Sequence, residues 1–185
     1  MSPALARIPL PSSVPTFAPA SLTGGWYRLF TSDAVWRRRT HPRMEYAEPV
    51  VGEDGRERLD GELRFRQQGM TGVQRKLLPS IDEHEGEGVL RRRRHGLLPG
   101  GSRRWSVPAV DPGGRWFVAY QVRLGFGERA ELDVFTRDPS IPQARLDEIL
   151  AGIQAAPLAA ARAPQLYATV QDWVPPRPYR LGLTR

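Results

Sequence analysis

Gly24-Gly25-Trp26-Tyr27-Arg28-Leu29-Phe30 is the stretch on which the reading of this chain turns. Two glycines make a tight entry where a side chain would obstruct, and a large aromatic follows at once. Bulky residues then continue as a strand. The stretch lies near the N-terminus, ahead of a long series of short alternating segments. Those segments, read in order, have to supply the rest of the fold.

Downstream, Pro42–Val51 reads as a second strand with Pro49 at an edge or bulge, and Glu53-Asp54-Gly55 as a hairpin turn. Leu59–Gln68 alternates, with Leu63 and Phe65 on one face and Glu62, Arg64 and Arg66 on the other. Val73–Leu78 is a strand stopped by Pro79, and Asp82–Gly88 suits an acidic turn holding His84. Val89–His95 carries Arg91 to Arg94, so on a strand Arg91 and Arg93 share one face and Arg92 and Arg94 the other. Leu97–Ser102 is a loop, Trp105–Val110 a strand, and Asp111-Pro112-Gly113-Gly114 a turn. In Trp116–Val122 the residues Trp116, Val118, Tyr120 and Val122 lie on one face, with Phe117, Ala119 and Gln121 on the other. Gly125-Phe126-Gly127 turns the chain into Ala130–Thr136. A helix over about residues 140–156 follows, its Leu146, Ile149, Leu150 and Ile153 at helical spacing and Pro157 beyond.

The Gly-x-Trp-Tyr opening, together with Phe135-Thr136-Arg137 and the helix after it, resembles the lipocalins of the calycin superfamily, in a bacterial type. The resemblance covers about residues 22–173. It implies an all-β fold, an eight-stranded antiparallel up-and-down barrel with one C-terminal helix packed outside. Residues 1–21 would form a Pro-rich lead-in and 174–185 an extended tail. In that family the Trp plugs the closed end of the barrel and an Arg packs across it, which assigns structural roles to Gly24, Trp26 and Arg137. A third family element, Thr-Asp-Tyr, survives only as Asp111. Leu166–Val170 would be the short strand that pairs with the first. Another small antiparallel barrel, or an α+β roll with the helix over an open sheet, is the competing fold.

Composition narrows the class. The chain has 185 residues, mean hydropathy −0.45, no cysteine, a net charge of +7 and a single lysine, Lys76, among its 27 basic residues. That arginine bias fits a GC-rich genome as well as a basic partner, and the planar guanidinium suits carboxylate and phosphate. Disulfides are excluded. Met1–Ala20 lacks the continuous apolar core of a secretory signal and no cysteine occurs, so a cytoplasmic location, or else a mature form whose leader has been removed, is the expectation. No apolar run is long enough to span a membrane. The arginine run lacks the further basic clusters and exposed aromatics of a nucleic-acid face. No phosphate loop, nucleophile elbow or paired metal-binding histidines occur, and neither a metal nor a cofactor is expected. A monomer or homodimer is expected.

The resemblance implies a cavity for a small apolar or amphipathic molecule, which the arginines allow to be anionic. The alternative is a cofactor-independent cyclase, isomerase or hydratase of bacterial specialised metabolism using the same cup. Glu45 and Tyr46 are then candidates for base and hydrogen-bond donor, with Tyr120 as a third catalytic candidate. Trp36 beside Arg37, Arg38 and Arg39 marks an entrance, or else a solvated basic turn. Arg64, Arg66 and Arg91 are candidates for an oxyanion; Phe65, Trp105, Trp116 and Gln121 complete the candidate lining. Each has a plainer reading as an outward strand residue or a core aromatic. Register decides between them, because a slip of one residue exchanges inside for outside.

Overall fold

The computed structural model describes residues 8–70, 72–94, 102–123 and 129–171. Eight long strands run antiparallel in chain order: β1 (Gly24–Thr31), β2 (Arg39–Tyr46), β4 (Glu57–Gly69), β5 (Gly72–Gly86), β6 (Val89–Arg94), β7 (Arg103–Val110), β8 (Trp116–Arg123) and β9 (Arg129–Thr136). Pairing of β1 with β9 closes the sheet into a barrel. A two-residue strand, β3 (Val50–Val51), hangs on β4, and β10 (Tyr167–Ala168) pairs with β1 outside the closure. This is the lipocalin-like barrel. The open-sheet roll is excluded by the β1–β9 ladder.

The closed end is built on the opening stretch. Trp26 is buried inside the barrel and donates its indole N–H to the Leu22 carbonyl at 2.5 Å. Its ring meets Phe117 edge-on at 4.7 Å, and Phe117 stacks on Phe135 at 4.8 Å. The Arg137 guanidinium lies 3.5 Å from the Trp26 ring centre and donates to the carbonyls of Gly25, Gly114 and Ser21. Gly24 has a φ of +92°, and a Cβ there would come within 3.0 Å of Arg137 Nη1. The glycine is therefore needed twice, for backbone conformation and for the approach of the arginine.

A second apolar core lies on the outside. Trp116, Val118, Tyr120 and Val122 of β8, with Leu132 and Val134 of β9, are covered by Leu146, Ile149 and Ile153 of α1 (Gln143–Gln154). The helix starts at Gln143, with Pro142 as its N-cap, rather than at Ser140. A short helix α2 (Pro157–Ala160) follows. The N-terminal lead-in also packs: Ile8 and Leu10 join this outer core, Val14 N–H donates to Val107 O at 2.9 Å, and Ser13 bridges Gly88 O and Val107 N–H.

Residues 42–51, read as one strand, are divided between β2, which ends at Tyr46, and β3, and two further strand boundaries differ from expectation. The segment expected as an acidic turn continues β5 to Gly86, leaving Glu87 and Gly88 as the reversal; His84 sits on the strand, 3.4 Å from Glu57. Pro79 does not stop β5. It lies one residue beyond the last described β5–β6 pair, Ser80 with Arg94, so its missing N–H breaks no described bond on that side. The expected loops over 97–101 and 125–127, and the tail beyond 171, lie outside the described residues. Among the described residues no helix is long and apolar enough to cross a membrane.

Candidate binding cavity

Antiparallel order places the β1–β2 and β4–β5 connections at one end and the β2–β4 connection at the other. Trp26 plugs the latter. Above the plug, a cavity of about 250 Å³ opens toward the first end. Its walls combine Val35, Trp36, Met44, Leu63 and Leu78 with Arg28, Arg39, Arg92, Arg103, Arg123, Asp33 and Ser80.

The polar residues are inward for a definite reason. Strand alternation counted from the plug residues carries Trp26 to Arg28, Phe117 to Gln121, Phe135 to Asp133 and Glu131, and Trp105 to Arg103. The same alternation puts Leu90 and Arg92 of β6 on the inner face opposite Asp82 of β5. A charged band thus sits directly above an aromatic plug.

Three ion pairs organise that band. Arg92 grips Asp82 through Nε and Nη2, with distances from 2.9 to 3.1 Å, and Asp82 also accepts from the Trp105 indole at 2.8 Å. Arg92 donates to the Tyr46 hydroxyl at 2.5 Å. Arg103 reaches Glu131 at 2.8 Å and Gln121 at 3.3 Å. Arg28, 2% exposed, lies 3.5 Å from Asp133 and stacks between Trp36 at 4.2 Å and Phe135 at 5.1 Å. Asp133 also accepts from Thr31 at 2.6 Å and from Gln121. At the rim, Arg39 donates to Gln67 and stacks on Phe65 and Trp36, while Arg123 approaches Glu131 at 3.5 Å.

Burial sets the protonation tendencies. Burial raises the Tyr46 phenol well above its ordinary value, despite Arg92 beside it. Burial raises Asp133, against the pull of Arg28 and Thr31. Arg92 is pulled down by burial yet ends above its usual value because Asp82 holds it. Arg103 moves the other way: burial lowers it to about 10, and Glu131 offsets only part of that. Two buried polar atoms on the wall have no hydrogen-bond partner, Arg28 Nε and Ser80 Oγ. Buried groups of this kind ordinarily find partners.

The candidate residues divide cleanly. Trp36 lines the cavity, Phe65 supports it from below at 5.4 Å, and Trp105, Gln121 and Tyr46 face the interior. Glu45 does not: it lies on the outer face, paired with Arg43 at 3.0 Å, so Glu45 and Tyr46 cannot act together on one molecule. Tyr120 and Trp116 are under α1 in the outer core, on the face opposite Gln121. Arg64 and Arg66 project outward, Arg64 toward Glu62. Arg91 pairs with Glu85 outside, and Arg92 of the same run faces inward. Arg28, Ser80, Asp82, Arg103, Glu131 and Asp133 were not among the candidates; phasing each strand on its plug residue reaches Arg28, Arg103, Glu131 and Asp133, whereas Ser80 and Asp82 are placed by the pairing of β5. Among the described residues no group of three His, Asp or Glu side chains could hold a metal.

No family model matches the chain, and no curated protein matches it. Solved structures do. Lobster apocrustacyanin A1 is 14% identical, with a TM-score of 0.57 over 83% of this chain and 79% of that one. The cockroach allergen Per a 4 is 11% identical, with a TM-score of 0.60 over 90% and 96%. The siderocalin Ex-FABP, described as having dual ligand specificities, is 13% identical, with a TM-score of 0.51 over 82% and 95%. At these identities the likeness is one of fold.

Proposed function

We propose that the barrel binds one small amphipathic molecule with an anionic head, held within the cavity above the Trp26 plug. The observation that carries this reading is the charge on the wall. Among the described residues Arg28, Arg92, Arg103 and Arg123 line the cavity and meet Asp133, Asp82 and Glu131, with Glu131 shared by Arg103 and Arg123 and Asp33 paired to Arg129 at 2.7 Å. Four guanidiniums thus face three carboxylates. An excess of charge in a half-dry site favours an anion that completes the pairing. The surplus lies on the mouth side, at Arg103 and Arg123, so the acidic head sits beneath the rim and the apolar body lies against Trp36, Met44, Leu63 and Leu78.

The size of the cavity favours a compact ligand. Small-molecule pockets run from about 300 Å³ upward, and this one is slightly smaller. Calorimetric titration with octanoate and with octan-1-ol, which share an alkyl chain and differ in the head, tests the reading. A charge-assisted hydrogen bond is worth about 1.5–3 kcal/mol, so octanoate binds at least about tenfold more tightly. Equal affinity for the two, or preference for the alcohol, contradicts the proposal.

A further inference from the structure

The rim of the open end carries a second pattern, independent of whatever the cavity holds. It is formed by the 3-10 turn Ala34–Arg38 and by the turn joining β4 to β5. Four large apolar side chains are exposed there: Val35, Met70, Val73 and Leu77, with Met70 fully exposed. Cations surround them. Arg37, Arg38, Arg64, Arg75 and Lys76 are exposed and Arg66 half-exposed. Residues 34–44 and 63–81 contain no Asp or Glu at all.

The opposite end carries both signs. Glu48, Glu53, Asp54, Glu85 and Glu87 are exposed around the β2–β4 and β5–β6 connections, with Arg56 exposed beside them and Asp54 and Glu85 paired to Arg58, Arg91 and Arg104. The β1–β2 and β4–β5 connections are thus the side on which described cations are left unbalanced by nearby acids in sequence. A basic end with a few protruding apolar side chains matches an anionic lipid surface, on which cations sit at the headgroups while Met70 and Val73 enter the interface.

We infer that the mouth of the barrel docks on anionic lipid membranes, with the β4–β5 hairpin as its main contact and the cavity opening toward the lipid. A flat lipid surface fits better than a nucleic acid. Base stacking wants exposed aromatics, and here Phe65 and Trp36 are buried against each other while the exposed tip is aliphatic. The cations are spread over two separate segments rather than along one groove.

The test is cosedimentation of the full chain with vesicles of phosphatidylcholine alone, and of phosphatidylcholine with about one third phosphatidylserine, each cation near such a surface being worth about fivefold in partitioning. Wild type partitions onto the anionic vesicles, scarcely onto the neutral ones, and is released by salt. Arg75→Gln with Lys76→Gln weakens partitioning by about 25-fold, Met70→Asp weakens it further, and Arg56→Gln at the opposite end changes it little. These side chains are exposed, and unchanged octanoate titration and thermal melting confirm that the barrel is intact. No partitioning, equal partitioning onto both vesicles, or partitioning indifferent to the Arg75/Lys76 pair overturns the inference. So does tighter binding to duplex DNA than to the anionic vesicles at the same salt.

Discussion

Replacing Arg103 by methionine separates the charge of the cavity from its shape. Arg103 is 15% exposed, and its guanidinium meets Glu131 at 2.8 Å and Gln121 at 3.3 Å. Removing one partner of a buried pair ordinarily costs about 3–5 kcal/mol, because the other charge is stranded. Glu131 is not stranded here: Arg129 holds it at 2.8 Å and Arg123 at 3.5 Å. Arg103 itself is under-compensated, its ionisation lowered to about 10 by burial that Glu131 only partly offsets. Its removal therefore relieves a desolvation penalty while giving up one charge-assisted bond, and folding stability shifts by about 1 kcal/mol or less. Ligand binding responds differently. An acidic head loses a charged donor worth about 1.5–3 kcal/mol, which weakens octanoate on the order of 10- to 150-fold, while octan-1-ol keeps its affinity. The assay is paired calorimetric titration of both probes, with urea unfolding of the same preparations. Equal weakening of both probes would mean that the cavity had collapsed, and undiminished octanoate binding would mean that the head lies elsewhere. Either result refutes the reasoning, as does a stability loss above about 3 kcal/mol.

Three further outcomes follow from the packing and the charges. Tyr120→Phe leaves octanoate binding unchanged, since the ring lies in the outer core under α1; altered affinity would mean that β8 is out of register. Gly152→Val destabilises by about 1–3 kcal/mol in urea unfolding, because a Cβ at Gly152 already comes within 3.1 Å of Ala109 and Trp116; no change would show that α1 is loosely seated. Asp111 accepts from the Arg115 side chain and backbone, which lower its carboxyl to about 2. A depressed carboxyl stabilises fully above its unfolded value and loses that contribution as pH falls toward the folded one. Asp111→Asn therefore flattens the acid limb of thermal stability between about pH 4 and 2, and an unchanged limb would show that the pair contributes nothing.

The barrel was legible because its end signals are local. Gly24, Trp26 and Arg137 are recognisable types at recognisable places, and the helix announces itself by the spacing of Leu146, Ile149 and Ile153. The cavity was less legible because an apolar-inside rule inverts on one side of this barrel. On β8 and β9 the outer positions are apolar, since α1 covers them, and the inner ones include Gln121, Glu131 and Asp133. Of the two faces of β8, the one that carries Tyr120 and Trp116 therefore lies outside, and the one that carries Gln121 lies inside. Phasing from the Trp26 plug finds Arg28, but not beyond: the register shifts between Arg28 and Phe30, so simple alternation would send Phe30 inward. Asp82 escaped because a segment containing Glu-His-Glu-Gly reads as a turn, whereas long antiparallel pairing holds it on β5. The pairing of Arg92 rather than Arg91 depends on register alone, which local sequence does not specify.

Carbon-13 NMR of octanoate labelled at its carboxyl, titrated downward from neutral pH with the protein in excess, tests the central claim most directly. An excess of guanidinium charge at the head keeps the bound carboxylate ionised to a pH about one unit or more below that of the free acid in the same buffer. A bound carboxyl whose ionisation is unshifted or raised would place the head in an apolar or uncharged setting and contradict the account.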